Sequence, residues 1–252
     1  MTVAIIPVIK QLAEVLDAVL TFFHDNVGLS WGTAIIAVTV ATRALLVPLT
    51  FKSLKSLTRM RALQPQLKEI QEKYKNDKQR MQQEMMRFYQ ENKINPFSSC
   101  IPLIAQAPVF IALYTVLRSD LRVDICGQAA HPCGSAASWF FIPDLTDKAT
   151  GGVAIALVIL FVATQLGSML VMPMSVDKSQ RAIMLVLPAV LVPLIFRLPA
   201  GLVLYWITTN VWTIGQQYTV QRLIPTTDVP TPEEARAAEP PPPPPRKRKK
   251  RR

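Results

Sequence analysis

Long charge-free stretches constrain this chain more than any other feature. Ile94–Leu117 runs 24 residues without Asp, Glu, Lys or Arg, Ala149–Val176 runs 28, and Leu198–Gln221 runs 24. About 20 mainly apolar residues suffice for a helix to cross the hydrocarbon core of a bilayer. Two further segments join them. Leu29–Phe51 is interrupted only by Arg43, and Ala182–Phe196 offers 15 charge-free residues between Arg181 and Arg197, which can snorkel to lengthen it. The expected architecture is all-α: a polytopic membrane protein with five spans at about 29–51, 96–117, 150–172, 181–197 and 199–220. Composition agrees. Half of the 252 residues are hydrophobic and 18% are charged, where soluble domains carry about a quarter. That apolar content excludes a disordered chain, and nine Gly and three Cys exclude a collagen or a disulfide scaffold.

Charge distribution then sets orientation. Residues 52–95 carry 11 Lys/Arg against 5 acids, and residues 222–252 carry 9 against 4. Residues 118–149 carry 3 against 4, and residues 1–30 carry 1 against 3. Basic loops stay cytoplasmic. The N-terminus and the 118–149 loop are therefore expected outside, and the 52–95 segment, the short 173–180 loop and the tail inside. No cleavable leader is expected in residues 1–9, which lack a basic flank and a small-residue cleavage site. Within residues 1–28, Ile9, Leu12, Val15, Leu16, Val19, Phe22 and Phe23 recur at helical spacing, as in an external amphipathic helix on the membrane surface.

The 52–95 segment reads as a cytoplasmic helical hairpin. Leu54, Leu57, Met60, Leu63, Leu67, Ile70 and Tyr74 recur at three- and four-residue steps, as do Met81, Met85, Phe88 and Tyr89 after the turn signal Asn76-Asp77. Pro65 marks the first turn of a new helix. Its basic residues, among them Arg59, Arg61, Lys68 and Lys73, suit docking of a partner or attraction to an anionic leaflet. The tail, 223–252, is expected to be disordered. Six consecutive prolines, Pro240–Pro245, precede seven consecutive basic residues: Arg246, Lys247, Arg248, Lys249, Lys250, Arg251 and Arg252. An extended polyproline spacer holding out such a cluster suits ribosomal RNA or anionic lipid.

Arg43 is the polar residue to explain. At 1.5 Å per residue it lies roughly 20 Å into the first span. An Arg there costs about 2.5–3.5 kcal/mol on the insertion scale, and no Asp or Glu stands in any span to pair with it. Polar stripes on other spans point to a hydrated cavity. Thr39, Arg43 and Thr50 share a face of the first span, and Ser99, Pro102 and Gln106 a face of the second. Gln165, Ser168 and Met172 do so on the third, and Tyr205, Thr209, Trp212 and Gln216 on the fifth. The fourth span is almost wholly apolar. Cys126 and Cys133 lie in the external loop, where a disulfide is permitted; with His131 they fall short of four zinc ligands. No Walker loop, His-Glu-x-x-His or Gly-x-Ser-x-Gly is present. No enzyme, cofactor, metal or small-molecule substrate is expected.

Several runs together carry a resemblance. Thr42–Thr50 (TRALLVPLT) with Met60–Pro65 (MRALQP), Asn95-Pro96 with Cys100–Phe110 (CIPLIAQAPVF), and Leu198–Trp206 (LPAGLVLYW) resemble the YidC family of membrane protein insertases. The likeness covers roughly residues 5–222. It implies an insertase and folding chaperone that receives nascent membrane proteins in a hydrophilic groove and works without ATP. It implies a groove arginine at Arg43, a groove glutamine at Gln165 and an aromatic at Trp206; spacing alone favours Trp212, and both stay open. Ribosome contact through the tail and cooperation with the Sec translocon are further implied partners. A channel or transporter, or an assembly factor that moves nothing, are the alternatives from other classes.

Overall fold

The computed structural model describes residues 2–51, 63–92, 101–126, 134–171, 186 and 191–223. Eight α-helices are named in chain order: α1 (Thr2–Asp25), α2 (Trp31–Leu45), α3 (Gln64–Lys73), α4 (Lys78–Glu91), α5 (Ile101–Arg118), α6 (Asp120–Cys126), α7 (Gly151–Val171) and α8 (Ala200–Leu223). Among the described residues there is no strand, only the isolated bridges Trp139–Ile142 and Lys148–Pro199. The all-helical class expected from the sequence holds. By length and composition α7, with mean hydropathy 2.3, is long and apolar enough to cross a membrane, and α2 is a shorter apolar helix.

α8 is the hub: it packs along α7 and α2 and touches α5, while α1 lies on α5 and α2. The apolar stripe of α1 explains its place. Ala13, Leu16 and Leu20 are buried in the shared core, and Val8, Val15 and Phe22 stay exposed. The corner from α1 to α2 turns at Gly28, whose φ of 75° suits a residue without Cβ. His24 locks it, stacking on Trp31 at 3.9 Å between ring centroids, with Nδ1 2.7 Å from the Leu29 carbonyl.

The segment 29–51, expected as one span, is not one helix. α2 ends at Leu45, Leu46 caps it at φ −84°, ψ −3°, and residues 47–51 resume a helical course. Pro48 is the reason: it has no N–H for the Ala44 carbonyl, and its ring crowds the preceding turn. The break falls one turn after Arg43.

Residues 118–149 are expected from the sequence as a connecting loop; of these, 118–126 and 134–149 are described, and they fold into the bundle end. α6 continues α5 after a turn at Ser119. Ile142 and Leu145 are buried, and Trp139 donates Nε1–H to the Thr33 hydroxyl at 3.1 Å. The Gly201 amide donates to the Leu145 carbonyl and the Ala200 amide to the Asp147 carbonyl, both at 2.8 Å. The loop thus supplies acceptors to the first turn of α8, whose amides have no partner inside the helix.

The hairpin pairs α3 with α4, and Leu67 on α3 is buried. Pro65 sits in the first turn of α3, and Asp77 caps α4 by accepting from the Arg80 amide at 3.0 Å. Most of 181–197 lies outside the described residues; residues 191–195 are helical and a turn follows.

Candidate functional site

The character of α8 changes along its length. From Ala200 to Tyr205 every residue is buried and all but the Tyr205 hydroxyl is apolar. From Thr209 onward polar side chains turn inward: Thr209, Asn210 and Gln217 are buried. Some reach a neighbouring helix. Asn210 donates Nδ2–H to the Thr164 hydroxyl on α7 at 3.4 Å. The Trp212 indole donates to Gln216 Oε1 at 2.9 Å, and Gln216 Nε2 donates to the Thr50 hydroxyl. Thr50 in turn donates toward the Leu46 and Val47 carbonyls at 3.1 and 3.0 Å. The carbonyls at the Pro48 break therefore anchor a relay of donors running from α8 to Thr50.

Other polar groups find nothing. Arg43 Nε, Gln106 Nε2 and Gln217 Oε1 are buried with no hydrogen-bond partner among the described residues. Arg43, partly exposed, has no carboxylate within 4.0 Å among them. Its neighbour across the helix contact is Tyr205, within electrostatic range. A buried polar atom without a partner costs about 1–3 kcal/mol. Several in one bundle suit water or a ligand's polar groups, because such cases are rare in native folds. The arrangement offers a cation, amides and hydroxyls with no nucleophile–base pair. It can solvate polar atoms, and the described residues hold no cluster able to bind a metal.

A family model described as "60Kd inner membrane protein" matches residues 22–227. The chain belongs to that family. Among its relatives, the membrane protein insertase YidC of Cellvibrio japonicus (strain Ueda107) is 39% identical over 217 residues, covering 86% of this chain and 37% of that protein. The YidC of Streptomyces avermitilis is 36% identical over 232 residues, covering 81% of this chain and 54% of the relative. A solved structure described as an active YidC insertase with the first transmembrane domain resolved aligns with a TM-score of 0.63 at 27% identity, over 81% of this chain and 46% of that one. The chain thus spans about a third to a half of the length of these curated YidC relatives.

Set against the YidC resemblance, the residues expected to line a groove divide. Thr50, Trp212 and Gln216 form the relay, and Arg43 and Gln106 are the unsatisfied donors. Thr39 is in the core, 1% exposed, with its hydroxyl spent on the Ile35 carbonyl at 2.6 Å. Thr209 is buried facing the Arg43–Tyr205 side, one turn past Tyr205. Ser168 is buried and donates to the Gln165 carbonyl at 2.8 Å, while Gln165 is half-buried. Trp206 belongs to an aromatic cluster, 5.5 Å from Phe110 and 5.0 Å from Phe161 by ring centroids. The two tryptophans therefore have different surroundings: Trp212 hydrogen-bonds in the polar half and Trp206 packs between α5 and α7. Cys126 is disulfide-bonded, and Cys133 lies outside the described residues. Lys68 and Lys73 are exposed on α3, Lys73 Nζ lying 5.5 Å from the Tyr74 ring centroid. Arg59, Arg61 and Arg246 to Arg252 lie outside the described residues. Sequence reasoning misses Gln217 and Thr164; the signal for Gln217 is the Gln216-Gln217 pair in an otherwise apolar run.

Proposed function

We propose that the chain acts as a membrane protein insertase with five spans, its N-terminus outside and its tail in the bacterial cytoplasm. α1 then lies at the outer surface of the membrane, and the α3–α4 hairpin faces the cytoplasm. The observation that carries the reading is the set of buried polar atoms on α2, α5 and α8 without partners among the described residues, those of Arg43, Gln106, Tyr205, Thr209 and Gln217, in a bundle with one end closed by the 134–149 segment. Moving a hydrophilic segment into hydrocarbon fails mainly because its polar atoms lose water. Arg43, Gln106, Gln217 and the hydroxyls of α8 replace part of that hydration from the cytoplasmic side. Among the described residues no acid pairs with Arg43, so an acidic segment of a nascent chain is attracted, and in hydrated surroundings it is not trapped. The apolar segment then slides into lipid, where its burial is downhill. An acidic tail also gains about 2.3 kcal/mol per charge per 100 mV on reaching the positive side. No ATP is needed in this scheme. The same groove would shelter partly folded membrane proteins, a chaperone role. The hairpin and the basic tail receive clients from the ribosome or the Sec translocon, and the tail also meets anionic lipid.

Photocrosslinking tests the site. A photoreactive residue at Trp212 should capture a stalled nascent chain carrying one span, and the same residue at Val15, exposed on α1, should not. Equal capture at both positions would contradict a groove on α8. Flux of ions through the reconstituted protein would instead favour a channel, and stable subunit complexes without insertion would favour an assembly factor.

A further inference from the structure

At the closed end of the bundle a recess of about 280 Å³ is lined by Arg118, Arg122, Thr146, Asp147, Lys148, Phe196, Arg197 and Pro199. Four of these side chains are cationic and one is a carboxylate. They come from three places in the chain: the α5–α6 junction, the segment before α7 and the turn before α8. None of the four cations has a carboxylate within 4.0 Å among the described residues. We propose that this recess binds one phosphate-type oxyanion.

The recess is built on a fixed frame. Lys148 pairs with Pro199 in an isolated bridge, and the Ala200 amide holds the Asp147 carbonyl. Asp147 Oδ1 accepts from the Lys148 amide at 2.8 Å. That hydrogen bond and the single charge leave the carboxylate too little to balance four cations. Arg118 is oriented by donating Nη1–H to the Tyr114 hydroxyl at 2.8 Å, with its guanidinium carbon 5.7 Å from that ring. Arg122 follows one turn later on the same side. Like charges gathered in this way repel, and an oxyanion among them relieves the repulsion.

Three guanidinium forks and an ammonium present more donors than the two oxygens of a carboxylate accept. A phosphate, with more oxygens and a geometry suited to the guanidinium fork, uses them better. At about 30 Å³ per water, the volume admits a phosphate head with several waters. The positive excess disfavours a headgroup that carries its own ammonium. Phe196, on the rim, and nearby Leu194 are 45% and 41% exposed, so an acyl chain has an apolar surface to lie on. The recess stands whether or not the insertase reading does; only its place at the outer headgroup layer rests on reading these helices as spans.

Native mass spectrometry of the full chain in neutral detergent tests this, with phosphatidylglycerol, phosphatidylcholine, inorganic phosphate and a short acidic peptide titrated separately. The expected result is one phosphatidylglycerol bound at least tenfold more tightly than phosphatidylcholine. That binding should weaken at least tenfold in Arg122→Gln/Arg197→Gln. It should persist when Arg246 to Arg252 are all changed to Gln, which removes the tail as the source. Arg122→Lys/Arg197→Lys keeps the charge and should recover most of the binding, which separates loss of the site from loss of fold. Inorganic phosphate that competes at equal concentration, with the same loss in the Gln variant, supports the oxyanion site and assigns its occupant to a free anion. Unchanged lipid binding in the Gln variant, equal binding of the two lipids, or a preference for the acidic peptide overturns the proposal. Insertion is not read in this experiment, so the failure of either proposal leaves the other standing.

Discussion

At the end where α5 stops and α7 and α8 begin, Leu117, Leu121, Ile142, Leu145, Leu202 and Val203 are each 1% exposed or less. From the middle of the same α8 onward, buried positions are held by Thr209, Asn210 and Gln217, and Arg43 Nε and Gln106 Nε2 on α2 and α5 are buried without partners among the described residues. Apolar side chains in this half are also exposed: Leu45 is 79% exposed, Leu170 85% and Val211 54%. Within one bundle, one end is closed by packing and backbone hydrogen bonds, and the other half keeps polar groups it does not satisfy. In lipid, exclusion of water does not drive helices together, so close approach of small residues matters more. Gly32, Ala34, Ala112, Ala200 and Gly201 lie toward the closed end, on α2, α5 and α8. In the insertase proposed above the closed end faces outward, and a seal there lets the polar half open toward one side only, as insertion without leakage requires.

Substitutions at either end probe that contrast. Gly201 is a sensitive position, since an added Cβ would stand 2.9 Å from the Leu145 carbonyl and 3.1 Å from Ile35 Cδ1 and Leu117 Cδ2. Gly201→Leu should cost about 3 kcal/mol by overpacking, read as a lower unfolding midpoint in detergent, and should make liposomes leak ions. The polar half should respond with the opposite sign. Gln217→Leu removes a buried, unpartnered oxygen and should stabilise by about 1–2 kcal/mol, while insertion of a polar-tailed substrate slows. If it destabilises, Gln217 has a partner and the polar half is not frustrated. Trp139→Phe at the closed end removes the bond to Thr33 and should cost about 1 kcal/mol in the same melting assay, with insertion unchanged. Phe140, 92% exposed at a φ of 52°, should matter least. Phe140→Asn, which tolerates that backbone better, should raise the midpoint slightly or leave it unchanged.

Much of this architecture is legible in the sequence. The helical class follows from charge-free runs and 3.6-residue spacing, both local in sequence. Arg43 stands out because a lone cation in an apolar run is costly wherever it sits. The relay of Trp212, Gln216 and Thr50 draws on stripes readable on two separate helices, but their meeting depends on how α8 packs against α2. The closed end is less legible. Residues 134–149 are short of periodic pattern, and their role rests on carbonyls given to α8, which no side chain announces. The interruption after Leu45 can be read from Pro48, yet an apolar run of that length reads as continuous. Trp206 and Trp212 lie six positions apart, on different faces of α8, and spacing alone does not say which face meets α5 and α7.

Insertion by the purified chain in liposomes would decide whether Arg43 receives acidic segments. A single-span substrate with an acidic tail would be synthesised beside the liposomes, and protease protection of that tail compared with empty liposomes. Protection should require the protein, fall at least tenfold in Arg43→Ala and largely survive in Arg43→Lys, with a neutral-tailed substrate much less affected. Equal loss for acidic and neutral tails in Arg43→Ala, or no gain over empty liposomes with folded, correctly oriented protein, would contradict a groove that works by offering Arg43 to an acidic segment.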